Sequence, residues 1–156
     1  MRRKLAYLAT LGVCVAAFSG RFSSAAEPDS SPLQWQPDLR AAHAIACRDN
    51  KPMLLVFGAE WCGWCKKLEK TTLENPQMAK YINESFVPVH IDVDENKKIA
   101  EILEVESLPC TIVLSPDADL LGRFEGYAKP GPMYKNLAAA KDLQNRISQA
   151  SGASNR

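Results

Sequence analysis

Phe57-Gly58-Ala59-Glu60-Trp61-Cys62-Gly63-Trp64-Cys65-Lys66-Lys67-Leu68, "FGAEWCGWCKKL", is the stretch that decides how this chain is read. Its two sulfurs are spaced as a redox pair, as half of a metal site, or as a small structural disulfide. Upstream, Met53-Leu54-Leu55-Val56-Phe57 is a continuous apolar run, as expected of a strand buried on both faces. A helix is predicted from Cys62 to about Leu73. Cys62 then sits at a helix N-terminus, where free N–H groups and the macrodipole favour a thiolate and lower the thiol's pKa. Cys65 falls one turn deeper on the same face, within reach of a short disulfide ring. The spacing suits one thiol that attacks and a neighbour that resolves the mixed disulfide. Lys66 and Lys67 follow as solvated positive charges.

Compartment bears on the same question. Arg2, Arg3 and Lys4 form a positive start, Leu5 to Phe18 is apolar, and Ser23-Ser24-Ala25-Ala26 offers small residues for cleavage. Residues 1–26 therefore read as a signal peptide, and the chain as exported to a periplasmic or extracellular space. An uncleaved membrane anchor is the alternative, but the apolar run falls short of the roughly 20 residues that span a bilayer. Cys14 leaves with the leader. Disulfides persist in exported proteins. The remaining cysteines, with Cys47 and Cys110 far from the close pair, are too few for a disulfide-dense scaffold. The 19 basic and 18 acidic residues nearly cancel, which gives no footprint for nucleic acid or an anionic membrane.

Residues 27–34 are rich in Pro, Ser and polar side chains and read as a flexible lead-in. One domain is expected over residues 35–150, with residues 151–156 as a disordered tail. Asp38 caps a helix over Leu39 to Asp49, with Leu39, Ala42, Ile45 and Ala46 on one face, and Lys51-Pro52 stops it. Asn75-Pro76 opens a second helical piece over Gln77 to Glu84. Phe86 to Asp92 is strand-like and Lys97 to Glu104 a short helix. Thr111 to Leu114 and Leu120 to Tyr127 form a hairpin across a Ser115–Asp119 turn. Gly131-Pro132 starts a last helix to about Gln149, with Tyr134, Leu137, Ala138, Leu143 and Ile147 available to its buried face. The fold class is α/β: a mixed sheet with helices on both sides.

"AEWCGWCK", followed by "SLPCTIVL", a hairpin and a helix, resembles the thioredoxin superfamily over Trp35 to Gln149. It is most similar to exported domains such as the C-terminal domain of DsbD-type thiol:disulfide interchange proteins. The resemblance implies a thioredoxin-like fold, Cys62 as catalytic nucleophile and Cys65 as resolving thiol. It also implies a cis peptide at Leu108-Pro109 beside the disulfide, exposing backbone for a substrate peptide. Trp61, Gly63, Trp64, Leu108 and Pro109 are the substrate-binding candidates, with Trp61 the more packed indole and Trp64 the more exposed. The expected chemistry is thiol–disulfide exchange with exported proteins, reduction preferred, by a monomer re-reduced from a membrane electron donor.

Two departures from the family pattern stand out. Thioredoxins carry a buried aspartate, taken to accept the resolving cysteine's proton, where this chain has Val56. Glu60 and Glu69 are the nearest carboxylates in sequence, and both read as solvated. The dipeptide inside the motif is Gly63-Trp64, so no reduction potential transfers with the resemblance. Cys110 reads as a small buried hydrophobe and Cys47 as a structural residue of the first helix. His43 and His90 are the only histidines, and without a second close ligand pair no metal site or other cofactor is expected. A binding module with a structural disulfide and a copper or zinc handling protein remain the alternatives.

Overall fold

The computed structural model describes residues 31–154. The stretch read as a signal peptide, residues 1–26, lies outside the described residues, as do 27–30 and 155–156. Element order is α1 (Leu39–Asp49), β1 (Met53–Gly58), α2 (Gly63–Leu68), a π-helical continuation (Glu69–Leu73), α3 (Pro76–Ser85), β2 (Val87–Asp92), α4 (Lys97–Ile102), β3 (Cys110–Leu114), β4 (Leu120–Glu125) and α5 (Pro130–Ser154). The sheet runs β2-β1-β3-β4. β1 is parallel to β2 and antiparallel to β3, and β3 and β4 form the expected hairpin.

β1 is apolar at every position because helices cover both of its faces. Leu54 and Val56 point to one core with Leu68, Leu73, Ile82, Phe86 and Leu137. Leu55 and Phe57 point to the other, with Ala42, Ala46, Val89, Ile91 and Ile112. Local chemistry fixes the helix starts. Asp38 accepts the Ala41 N–H at 2.8 Å, and Asn75 accepts from Gln77 and Met78 ahead of Pro76. Asn50, in the left-handed region at φ 49°, ends α1 just before Lys51-Pro52.

Several boundaries differ from the sequence expectation. Asn83 ties the supposed lead-in to α3: the Gln34 N–H donates to Asn83 Oδ1 at 2.9 Å, and Asn83 Nδ2 donates to the Pro32 carbonyl at 3.0 Å. Leu33 packs on the first core, so the ordered unit begins before Trp35. α5 runs to Ser154, into the stretch read as a disordered tail. On α5, Met133 and Ala140 are buried with Leu137, whereas Tyr134 is half-exposed and lies tilted against Tyr81, with 4.6 Å between ring centroids. The helix expected from Cys62 to Leu73 is α helical only to Leu68. It then widens, the Glu74 N–H reaching the Glu69 carbonyl at 2.8 Å.

Candidate active site

At the end of β1 the chain turns through Ala59–Trp61 and enters α2. Cys62 is the N-cap of α2, and its sulfur accepts the Cys65 backbone N–H at 3.1 Å. Cys62 and Cys65 are joined by a disulfide with Cα atoms 5.3 Å apart. Both residues are buried, at 7% and 4% exposure, so Cys62 is less open than a surface nucleophile. What separates them is direction. Cys62 lines a groove of about 450 Å³ with Trp61, Gly63, Trp64, Val93, Val105, Glu106 and Leu108, and Cys65 is not part of that lining.

The Leu108–Pro109 peptide beside the groove is cis. Leu108 packs against the Ala59–Cys62–Cys65 cluster. The indoles reverse the expected order: Trp61 is 71% exposed and Trp64 58%. Trp61 is held by Nε1 donating to Asp94 Oδ2 at 2.8 Å. Trp64 leans on Tyr127 at 5.8 Å, and Lys67 Nζ sits over both rings at 4.5 and 5.0 Å. Lys67 is thus engaged with aromatic faces rather than simply solvated. Gly63 faces open space.

Behind the pair, the position of the family's buried aspartate is Val56, which packs in the first core. Its lateral neighbour in the β1–β2 register is His90. Glu69 Oε1 lies 2.9 Å from His90 Nε2, so Glu69 is not the solvated carboxylate that the sequence suggested. Glu60 is exposed. The sequence does not show the Glu69–His90 pair, because only the strand register sets His90 beside Val56.

Cys110 is buried at 1% exposure and packs in the core on the α1 side of the sheet; burial pushes its thiol up, while Arg123 opposes the shift. Cys47 departs from expectation: it is exposed on α1, with Sγ 3.4 Å from His43 Nε2, which also donates to the Pro116 carbonyl at 3.1 Å. Among the described residues no group of three or more His, Cys, Asp or Glu could hold a metal ion. None of their helices is long and apolar enough to cross a membrane.

The Thioredox_DsbH family model, described as a protein of unknown function (DUF255), matches residues 24–129, well over half of the chain. Mitochondrial thioredoxin-3 of Saccharomyces cerevisiae is 34% identical over 99 residues, covering 62% of this chain and 68% of that protein. Spermatogenesis-associated protein 20 of Rattus norvegicus is 31% identical over 72 residues, 46% of this chain and 9% of that protein. The chain therefore spans only a small part of that relative's length. A solved DsbH oxidoreductase superposes with a TM-score of 0.67 over 74% of this chain and 88% of that one, at 19% identity, a likeness of fold alone.

Proposed function

This chain belongs to the Thioredox_DsbH family of thioredoxin-like proteins, and on that premise we propose that it is an exported thiol–disulfide oxidoreductase that reduces disulfides of exported proteins. The observation that carries the reading is the asymmetry of the pair: Cys62 lines the groove beside the cis Leu108–Pro109 peptide and the two indoles, and Cys65 lies behind it. In the dithiol form the Cys62 thiolate attacks one sulfur of a substrate disulfide. A Cys62–substrate bond forms, the substrate S–S bond breaks, and the departing sulfur leaves with the electron pair and takes a proton. Cys65, as thiolate, then attacks Cys62 Sγ. The Cys62–Cys65 bond forms, the mixed disulfide breaks, and the second substrate sulfur leaves reduced. The substrate gains two electrons and the protein dithiol loses them. A thiol donor outside this chain, a membrane protein of the export compartment, restores the dithiol.

The exposed faces of Trp61 and Trp64, with Leu108, form an apolar edge for the peptide flanking the substrate sulfur. Export is supported by the Arg2-Arg3-Lys4 start, the Leu5–Phe18 apolar run and the small residues before Glu27. Reduction is favoured by the resemblance of the motif to DsbD-type domains. Insulin reduction with excess dithiothreitol tests the activity. The protein should accelerate insulin precipitation and Cys62→Ser should not; a wild-type rate no faster than that of dithiothreitol alone overturns the reductive reading.

A further inference from the structure

The groove that exposes Cys62 does not end at its far wall. Val93, Val105 and Glu106 line it and also line a second cavity of about 470 Å³, which continues along α4. Among the described residues, Glu106 is the one carboxylate lining the Cys62 groove. The second cavity adds Glu101 and Glu104 against a single basic residue, Lys97. We propose that Glu106 makes this groove selective for substrate disulfides that carry Lys or Arg close to the reacting cysteine, a substrate preference that rests on the oxidoreductase reading above.

Three observations support a cationic occupant. First, Glu101, Glu104 and Glu106 are all exposed, and among the described residues none of their carboxylates has an ion-pair or hydrogen-bond partner. Second, the other charged groups of this face are engaged elsewhere. Asp94 holds the Trp61 indole at 2.8 Å, Lys67 lies over the Trp64 and Tyr127 rings, and Arg123 donates to the Leu103 and Glu104 carbonyls at 2.6 and 3.1 Å. Third, Glu106 shares its cavity with the reacting sulfur itself. An extended substrate whose sulfur meets Cys62 advances about 3.3 Å per residue, so its next one or two residues run along the groove wall.

The charge also bears on the reaction. Disulfide exchange starts from a thiolate on Cys62 and leaves a thiolate on the substrate, and a nearby carboxylate opposes both. A substrate cation set against Glu106 offsets that repulsion, whereas a substrate carboxylate adds to it. Exposed ion pairs are individually weak, so selectivity arises from several like charges acting together on encounter, and salt screens it.

The test uses three peptides that differ at the two positions flanking one internal cysteine, occupied by Arg, Gln or Glu. Each cysteine is linked as a mixed disulfide to thionitrobenzoate, the better leaving group. Attack of Cys62 on the peptide sulfur forms the Cys62–peptide disulfide and releases coloured thionitrobenzoate, which is followed with the reduced full chain and peptide in excess. The rate of Cys62→Ser is subtracted, and each rate is divided by that of the same peptide with dithiothreitol, which removes intrinsic differences in reactivity. At low salt the Arg peptide should react about five- to tenfold faster than the Gln peptide, and the Glu peptide slower than either. The Arg preference should fall below about twofold in 0.5 M NaCl and in Glu106→Gln, and Glu106→Lys should reverse it. Should Glu106→Gln not fold, the wild-type ratios and their salt dependence decide. Equal rates for the three peptides, or an Arg preference undiminished in Glu106→Gln, overturn the proposal. Release from no peptide above the Cys62→Ser rate would instead overturn the oxidoreductase reading, and the selectivity with it.

Discussion

The Cys65 backbone N–H donates to Cys62 Sγ at 3.1 Å, which makes the sulfur of Cys62 the cap of α2. That bond favours negative charge on Cys62 once the disulfide opens, and no helix start does the same for Cys65. In the reduced protein iodoacetamide should therefore modify Cys62 at least about tenfold faster than Cys65. Peptide mass spectrometry at short times reads this directly, and the reverse order would reassign the nucleophile.

Gly58, ahead of the pair, and Gly63, within it, have opposite surroundings. A Cβ on Gly58 would stand 3.2 Å from His90 Nε2 and 3.5 Å from Cys65 Cβ, whereas one on Gly63 meets nothing within 4 Å. Gly58→Ala should lower stability by about 1–3 kcal/mol through overpacking. Gly63→Ala, in the first turn of α2, should leave it unchanged or raise it by up to ~1 kcal/mol. Urea unfolding of both variants checks the contrast, and equal effects would contradict the packing described around the disulfide.

Burial pushes the Cys110 thiol up. The unfolded chain releases this proton near the free-thiol value of about 8.5, while the folded chain retains it to higher pH. Between those values the folded state binds more protons than the unfolded one. The stability this group contributes is thus complete below about pH 8.5 and is lost as pH rises through the raised folded value. Wild-type denaturation midpoints should fall more steeply above pH 8.5 than those of Cys110→Ala. Parallel profiles would mean that Cys110 is not the group responsible.

The parts of this molecule that sequence discloses are those whose physics is local. The apolar run of β1, the Asp38 and Asn75 caps, and the Ser115–Asp119 turn, where Ser115 Oγ accepts the Asp117 and Asp119 N–H groups, each follow from neighbours in the chain. The Cys62–Cys65 pair at the start of α2 is local in the same sense. What stayed hidden depends on long-range pairing. Glu69 looks solvated until the β1–β2 register places His90 beside Val56. Trp61 reads as packed until Asp94, far along the chain, is seen to hold its indole at the surface. Residues 32–34 have the composition of a linker, yet Asn83 satisfies their backbone from α3. The superfamily was legible from the motif and its strand. Its branch was not: the family model that matches is of DsbH type, while the motif alone suggested a DsbD-type domain.

Division of labour between the two sulfurs is tested most directly by removing only the second. In cells producing the full chain as Cys65→Ser, with Cys47→Ala and Cys110→Ala to remove other thiols, Cys62 should form mixed disulfides that cannot be resolved. Non-reducing electrophoresis should show adducts of higher mass that collapse on adding reductant, and these should be absent when Cys62→Ser is added. Exported proteins among the trapped partners would name the substrates, and a membrane protein the electron donor. If no adduct forms while Cys62 remains open to alkylation, the pair is a structural disulfide and the account of Cys62 as nucleophile is wrong.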